Sequence, residues 1–219
     1  MDLKLYSFFQ SSTSYRVRIA LALKGLDYTY AGVDIRVGVH HDPHYVNDIN
    51  PSAGVPALVI EEGGETVTLG QSLAIIDYLD QIVPQPCLIP KEPLPRARVL
   101  EFANLIACDI HPVNNLRVLR YLQSELGVTA EQRDAWYHHW IAEGLAGAER
   151  LLVRYGKGPF CFGDDPTLAD CCLVPQIANA ERMKCPLDAY PALMAAATHA
   201  RAHPAFQAAA PSAQPDFGG

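Results

Sequence analysis

Phe9-Gln10-Ser11-Ser12-Thr13-Ser14-Tyr15-Arg16-Val17-Arg18-Ile19-Ala20 joins an apolar run, Leu3 to Phe8, to a periodic stretch, Val17, Ile19, Ala20, Leu21 and Leu23. That order reads as strand, turn, helix. Serine and threonine at a helix start satisfy backbone N–H groups that have no partner inside the helix. The same end gathers positive potential from aligned peptide dipoles, which suits an anion. The hydroxyls of residues 11–14 therefore serve as a cap or as the support of an anion such as a thiolate. Taken by itself the stretch favours the cap, because serine and threonine are among the leading residues at that position.

Working outward, residues 15–25 suit a helix stopped by Gly25, and Tyr28 to Val33 alternates as a second strand. Strand, helix, strand implies a parallel βαβ unit. Residues 36–48 are polar, carry His40, His41 and His44, and fit a short helix or an irregular arm. With no clear fourth donor, those histidines do not make a metal site. Pro56 opens the buried-strand pattern Ala57 to Ile60, where its missing N–H does least harm. The sequence leaves the Val55–Pro56 bond open to either isomer. Gly63-Gly64 marks a hairpin, Glu65 to Leu69 completes it, and Gly70-Gln71-Ser72 opens a further helix with another hydroxyl at its start. The order β-α-β-α-β-β-α over residues 1–83 is that of a thioredoxin-like domain. It has no C-x-x-C pair, so disulfide exchange is not its chemistry.

Prolines crowd residues 84–93 and mark a linker. Beyond it, residues 94–219 show helical patterns at 94–125, 129–155, 167–181 and 191–202, with no convincing strand. The fold class is thus α/β plus all-α. Thr167-Leu168-Ala169-Asp170 resembles a capping box, and Trp136 and Trp140 share a helix face suited to packing. Arg16 and Arg18 suggest at least one structural ion pair on the first helix.

The 219 residues are 49% hydrophobic with a net charge of −7, enough for a sizeable core and a poor match to nucleic acid or an anionic membrane. No run is apolar for long enough to span a bilayer, and no cationic leader suggests a signal peptide. Six cysteines without metal spacing read mostly as buried thiols in a reducing compartment, in keeping with a cytoplasmic protein.

Taken together, these features resemble a cytosolic glutathione transferase. Residues 11–20 resemble the S-S-C-x-W-R-V-R-I-A signature of the zeta class. Asp109-Ile110-His111-Pro112-Val113-Asn114-Asn115-Leu116 is similar to the fourth-helix segment of that class. Ala169 to Gln176 resembles its A-D-x-x-L-V-P-Q run, and Ala178 to Arg182 its A-N-A-E-R run. The class includes maleylacetoacetate and maleylpyruvate isomerases. The resemblance implies bound glutathione, a homodimer and cis–trans isomerisation of an unsaturated dicarboxylic keto acid in aromatic amino acid catabolism. Its alternative is a general transferase that conjugates electrophiles or dehalogenates small halo acids. A thiolate that adds to an activated alkene permits rotation, and its departure restores the double bond.

The resemblance also implies roles. Ser11 gives the hydrogen bond to the thiolate, and Ser12 lines the same turn. Thr13 stands where the class has cysteine, and Tyr15 where it has tryptophan. The Thr13 departure leaves the isomerase-or-transferase choice open. Gln71 and Ser72 hold the γ-glutamyl end, and the Val55 backbone pairs with the cysteinyl part. His41, or His40 beside it, reaches the glycyl end. His111, Asn114 and Asn115 lie near the glutathione and the dimer partner. Gln10, Arg117 and Arg182 face the substrate, where arginine suits carboxylates.

Overall fold

The computed structural model describes residues 1–218. The chain forms two compact units, Met1–Leu88 together with the segment from Ala202 on, and Ile89–Arg201.

In the first unit, β1 (Asp2–Ser7) buries alternate residues Leu3, Leu5 and Ser7. It pairs in parallel with β2 (Thr29–Gly32) and antiparallel with β3 (Ala57–Glu62). The hairpin from β3 to β4 (Glu65–Gly70) turns through Gly63 and Gly64, both at positive φ. The sheet order is β2-β1-β3-β4. Helix α1 (Ser12–Lys24) ends at Gly25, whose φ of 63° closes the last turn with bonds to Leu21 and Ala22 carbonyls. Helix α2 is Ser72–Ile82.

The arm between β2 and β3 is not an α-helix, as the βαβα order had suggested. It is a 3-10 turn, Val39–His41, followed by a π turn, Tyr45–Ile49. Gly38 at φ 87° and Pro43 interrupt it, and Asp42 takes the His44 N–H at 2.9 Å.

The stretch read as a free linker is fastened at its start. Lys24 Nζ, fully buried, pairs with Asp80 at 2.6 Å and donates to the Val83 and Pro86 carbonyls. Asp80 also accepts from the Leu88 N–H, and Leu88 is buried. The first unit therefore runs to Leu88, and the boundary lies inside the proline-rich stretch 84–93.

In the second unit, α3 (Pro93–Asn104) runs into a π segment, Leu105–Ile110, then the short α4 (His111–Val113) and α5 (Leu116–Ser124). The single helix expected over 94–125 is thus broken. Pro112 has no N–H to continue the ladder, and Asn115, in extended conformation, caps α5 by accepting from Arg117 N–H. Helix α6 (Ala130–Tyr155) passes close by, and a Cβ at Gly144 would run into Ile110. Helices α7 (Leu168–Arg182) and α8 (Pro191–Ala202) follow. Asp170 closes the expected capping box on Thr167 and also takes the Cys161 N–H at 2.9 Å.

Helix α9 (Pro204–Ala209) and the chain after it belong to the first unit, not to an all-helical domain running to residue 219. The reason is the buried face of α1. Tyr15 donates its hydroxyl to the Phe206 carbonyl, and Arg18 Nε donates to the Ala209 carbonyl at 3.0 Å. No helix among the described residues is long and apolar enough to cross a membrane.

Candidate active site

The register of the sheet brings three connections to one end. Ser7 at the end of β1 pairs with Gly32, its neighbour Tyr6 pairs with Ala57 at the start of β3, and Ala57 pairs with Gly70 at the end of β4. The turn carrying Gln10 and Ser11, the Val55–Pro56 bond and the Gln71–Ser72 step therefore leave the sheet side by side.

Ser11 caps α1 with its side-chain oxygen, which accepts from the Ser14 N–H at 3.2 Å. Thr13 Oγ1 donates to the Val55 carbonyl at 2.9 Å. A hydroxyl has one proton to give. The 2.9 Å contact between Ser11 and Thr13 is therefore a bond in which Ser11 donates. The hydroxyls form a directed chain, Ser11 to Thr13 to the Val55 carbonyl. Thr13, in the cysteine position, thus ties the helix cap to the proline turn. Ser12 is buried at the first position of α1, and Gln10 is half-buried.

The Val55–Pro56 bond is cis. The loop before it is held by Asn50, 5% exposed, whose Nδ2 donates to the Gly54 carbonyl at 2.8 Å. Tyr45 donates its hydroxyl to the same carbonyl at 2.6 Å, and burial raises its pKa. This leaves Val55 half-buried at the edge of the turn.

At the start of α2, Gln71 has φ 64° and ψ 113°, a conformation that L residues rarely adopt. It is exposed, whereas Ser72 is buried and receives Arg16 Nη1 at 3.3 Å. Arg16 is itself 1% exposed. A guanidinium, a hydroxyl and a helix N-terminus thus meet at one point, a combination suited to a carboxylate.

Arg18 makes no ion pair among the described residues and bonds to neutral oxygens instead. It is fully buried and donates to Ser7 Oγ and to the carbonyls of Phe8, Phe9 and Ala209. Burial lowers its pKa, but a guanidinium remains charged. His41 lies exposed in its 3-10 turn, its ring 3.9 Å from that of His40.

The remaining candidates belong to the second unit. His111 Nε2 is 3.2 Å from Asn115 Nδ2, and Trp136 Nε1 donates to the Val113 carbonyl. Asn114 is buried, and both polar atoms of its amide lack a hydrogen-bond partner among the described residues. A buried amide in that condition suits a ligand or a second chain. Arg117 and Arg182 are exposed, the latter donating to Asn179 Oδ1 at 3.3 Å.

The sequence did not single out Arg16, Asn50 or Tyr45 for the site. No local signal marks Arg16 for the site, because its partner Ser72 lies far away in the sequence.

The Glutathione S-transferase N-terminal domain family matches residues 10–82, and the Glutathione S-transferase C-terminal domain family matches residues 134–203. The chain is 47% identical to a maleylacetoacetate isomerase of Pseudomonas aeruginosa over 216 residues, 98% of each chain. It superposes with a TM-score of 0.91 on the holo structure of a bacterial maleyl pyruvate isomerase of zeta class. That pair is 42% identical over 97% of this chain and 99% of the other. It also superposes, with a TM-score of 0.92, on a maleylacetoacetate isomerase from Methylobacterium extorquens AM1 with bound malonate and GSH. There the identity is 34% over 99% of this chain and 100% of the other.

Proposed function

Because this chain belongs to the glutathione S-transferase family, within its zeta-class maleylacetoacetate and maleylpyruvate isomerases, we propose that it is a glutathione-dependent cis–trans isomerase of maleylacetoacetate or a closely related maleyl keto acid. The observation that carries this reading is the alignment of Ser11, Val55 and Ser72 at one end of the sheet, each with a polar group suited to one part of glutathione.

The residues fit that tripeptide. Ser72, Arg16 and the N-terminus of α2 suit the γ-glutamyl carboxylate, with Gln71 held in its unusual backbone conformation beside them. The Val55 backbone offers peptide groups to the cysteinyl part. Ser11 stands at the N-terminus of α1, where its proton can turn from Thr13 to a sulfur anion. Bound glutathione supplies the thiol nucleophile that adds to the alkene and departs after rotation.

The chain's own groups do the rest. Ser11 and the α1 dipole lower the thiol pKa by favouring its charged form. Thr13 keeps its bond to Val55 while Ser11 turns away from it, so the proline turn stays anchored. His41 is assigned to the glycyl carboxylate, and His111, Asn114 and Asn115 to glutathione or to a second copy across a homodimer. Asn114 supports that assignment, since its buried amide has both polar atoms free to bond. Arg117 and Arg182 are assigned to the carboxylates of the substrate, and Gln10 to its reacting end. Binding of a dicarboxylate alongside GSH in the Methylobacterium relative supports that substrate class.

The test is a panel of maleylacetoacetate, maleylpyruvate and a small chloro-acid, each incubated with and without glutathione. Isomerisation of a maleyl keto acid only in the presence of glutathione is expected. Turnover of the chloro-acid alone would favour the general transferase instead.

A further inference from the structure

The turn between β1 and α1 is gripped from a distant part of the chain. Its backbone groups can be followed one by one. The Phe8 carbonyl accepts from the Ser11 N–H at 3.0 Å and from Arg18 Nη1 at 3.3 Å. The Phe9 carbonyl accepts from Arg18 Nη2 at 3.0 Å. The Phe9 N–H donates to Asp216 Oδ2 at 3.1 Å. The other oxygen of Asp216 accepts from the Tyr30 hydroxyl at 2.6 Å, so one carboxylate joins β2 to the turn after β1. Phe217 stands edge-on to Phe9, with ring centroids 5.6 Å apart.

The segment is anchored at its base as well. Gln214, buried, donates through Nε2 to the carbonyls of Ala208 and Ala210, while Arg18 holds the Ala209 carbonyl. Arg18 and Asp216 therefore grip the turn together, the arginine taking carbonyls and the carboxylate taking the N–H. Arg36, over the rings of Phe8 and Phe9, adds a second cation near the carboxylate. The Tyr30 hydroxyl is protonated at neutral pH and donates, and burial with the bond to Asp216 raises its pKa further.

We propose that Asp216 is a positioning residue for thiol activation: by holding the Phe9 N–H and the Tyr30 hydroxyl, it fixes where Gln10 and Ser11 stand. This rests on the assignment of Ser11 to the glutathione thiol. Phe9 lies two residues before Ser11, so a change in its peptide plane is passed directly to the Ser11 hydroxyl. Displacement of a reacting group by about 1 Å costs on the order of a hundredfold in rate. Loss of the bond to the Phe9 N–H, with Arg18 still holding the neighbouring carbonyls, permits a smaller shift than that. The roles of the first and last parts of the unit are thereby linked: the α9 segment completes the geometry of the glutathione turn.

The experiment compares Asp216→Ala, Asp216→Asn and Tyr30→Phe with the unaltered chain. Thiolate absorbance of bound glutathione at neutral pH is read alongside kcat and the affinity for S-methylglutathione, which has no thiol to ionise. Asp216→Ala is expected to lower the thiolate fraction and kcat by roughly tenfold, with S-methylglutathione affinity changed less than about threefold because Gln71 and Ser72 are untouched. Asp216→Asn is expected to restore both, since its amide oxygen still accepts from Phe9. Tyr30→Phe, which frees only one side of the carboxylate, is expected to fall between them. Unchanged thiolate absorbance in Asp216→Ala would overturn the proposal, even if its melting temperature falls. If the alanine variant does not fold, unchanged absorbance in Tyr30→Phe has the same force. Unchanged absorbance in Ser11→Ala would instead undo the glutathione assignment itself.

Discussion

Ser11 serves twice with one side chain: its oxygen caps α1 through the Ser14 N–H, and its proton points to Thr13. Only the proton is available to a thiolate, so capping and activation do not compete. A hydrogen bond to a charged group contributes about 1.5–3 kcal/mol. Ser11→Ala should therefore lower kcat/KM by roughly 10- to 100-fold and raise the pKa of bound glutathione, as read by thiolate absorbance across pH. Thr13→Val removes the bond to the Val55 carbonyl and should raise KM for glutathione about three- to tenfold, while Thr13→Ser, which keeps the hydroxyl, should remain near the unaltered chain. Steady-state kinetics at varied glutathione would check both. The sequence already marked Ser11 and Ser72, because hydroxyls before an apolar run are a local signal. It did not mark the Thr13-to-Val55 bond, which joins residues far apart in the chain and depends on the register of β1 and β3.

At the scale of elements, most of the sheet and its helices were legible, since the period of apolar residues and the turn residues Gly25 and Gly63-Gly64 are local. Structure departs from pattern where packing overrides it. The arm 36–48 has too few apolar residues to hold an α-helix, and it turns instead around Gly38 and Pro43. The run 94–125 keeps helical periodicity through Pro112, yet it holds a π segment whose Ile110 packs against Gly144, and past Pro112, which has no N–H, it breaks at Asn114–Asn115. The capping box at Thr167 forms as its sequence implies and reaches further, to Cys161. Asp170 accepts from Thr167 N–H, Thr167 hydroxyl and Cys161 N–H while fully buried. Asp170→Ala should leave those donors unpaired and cost about 2–4 kcal/mol, measured by equilibrium denaturation.

For the whole molecule, the division into units is the point at which sequence order misleads. Residues after Ala202 follow a helical domain in the chain but complete the first unit, through contacts of α9 with Tyr15 and Arg18 that no local pattern reveals. Four of the six cysteines match the expectation of buried thiols, and Cys87 is half-buried. Cys161, Cys171, Cys172 and Cys185 are buried, Cys108 is exposed, and burial pushes the Cys185 thiol up to about 11 and that of Cys161 higher than usual. A thiol reagent at neutral pH should therefore modify Cys108 rapidly in the native protein, and those four only after denaturation. The catalytic sulfur in this account belongs to glutathione, not to the chain, and that is the claim most open to direct test. A limiting amount of glutathione with excess maleylacetoacetate or maleylpyruvate, followed by mass balance, decides it. Many substrate equivalents converted to the trans isomer per glutathione, with all glutathione recovered free, are expected. Failure to isomerise either acid, or glutathione consumed mole for mole as a stable conjugate, would contradict it.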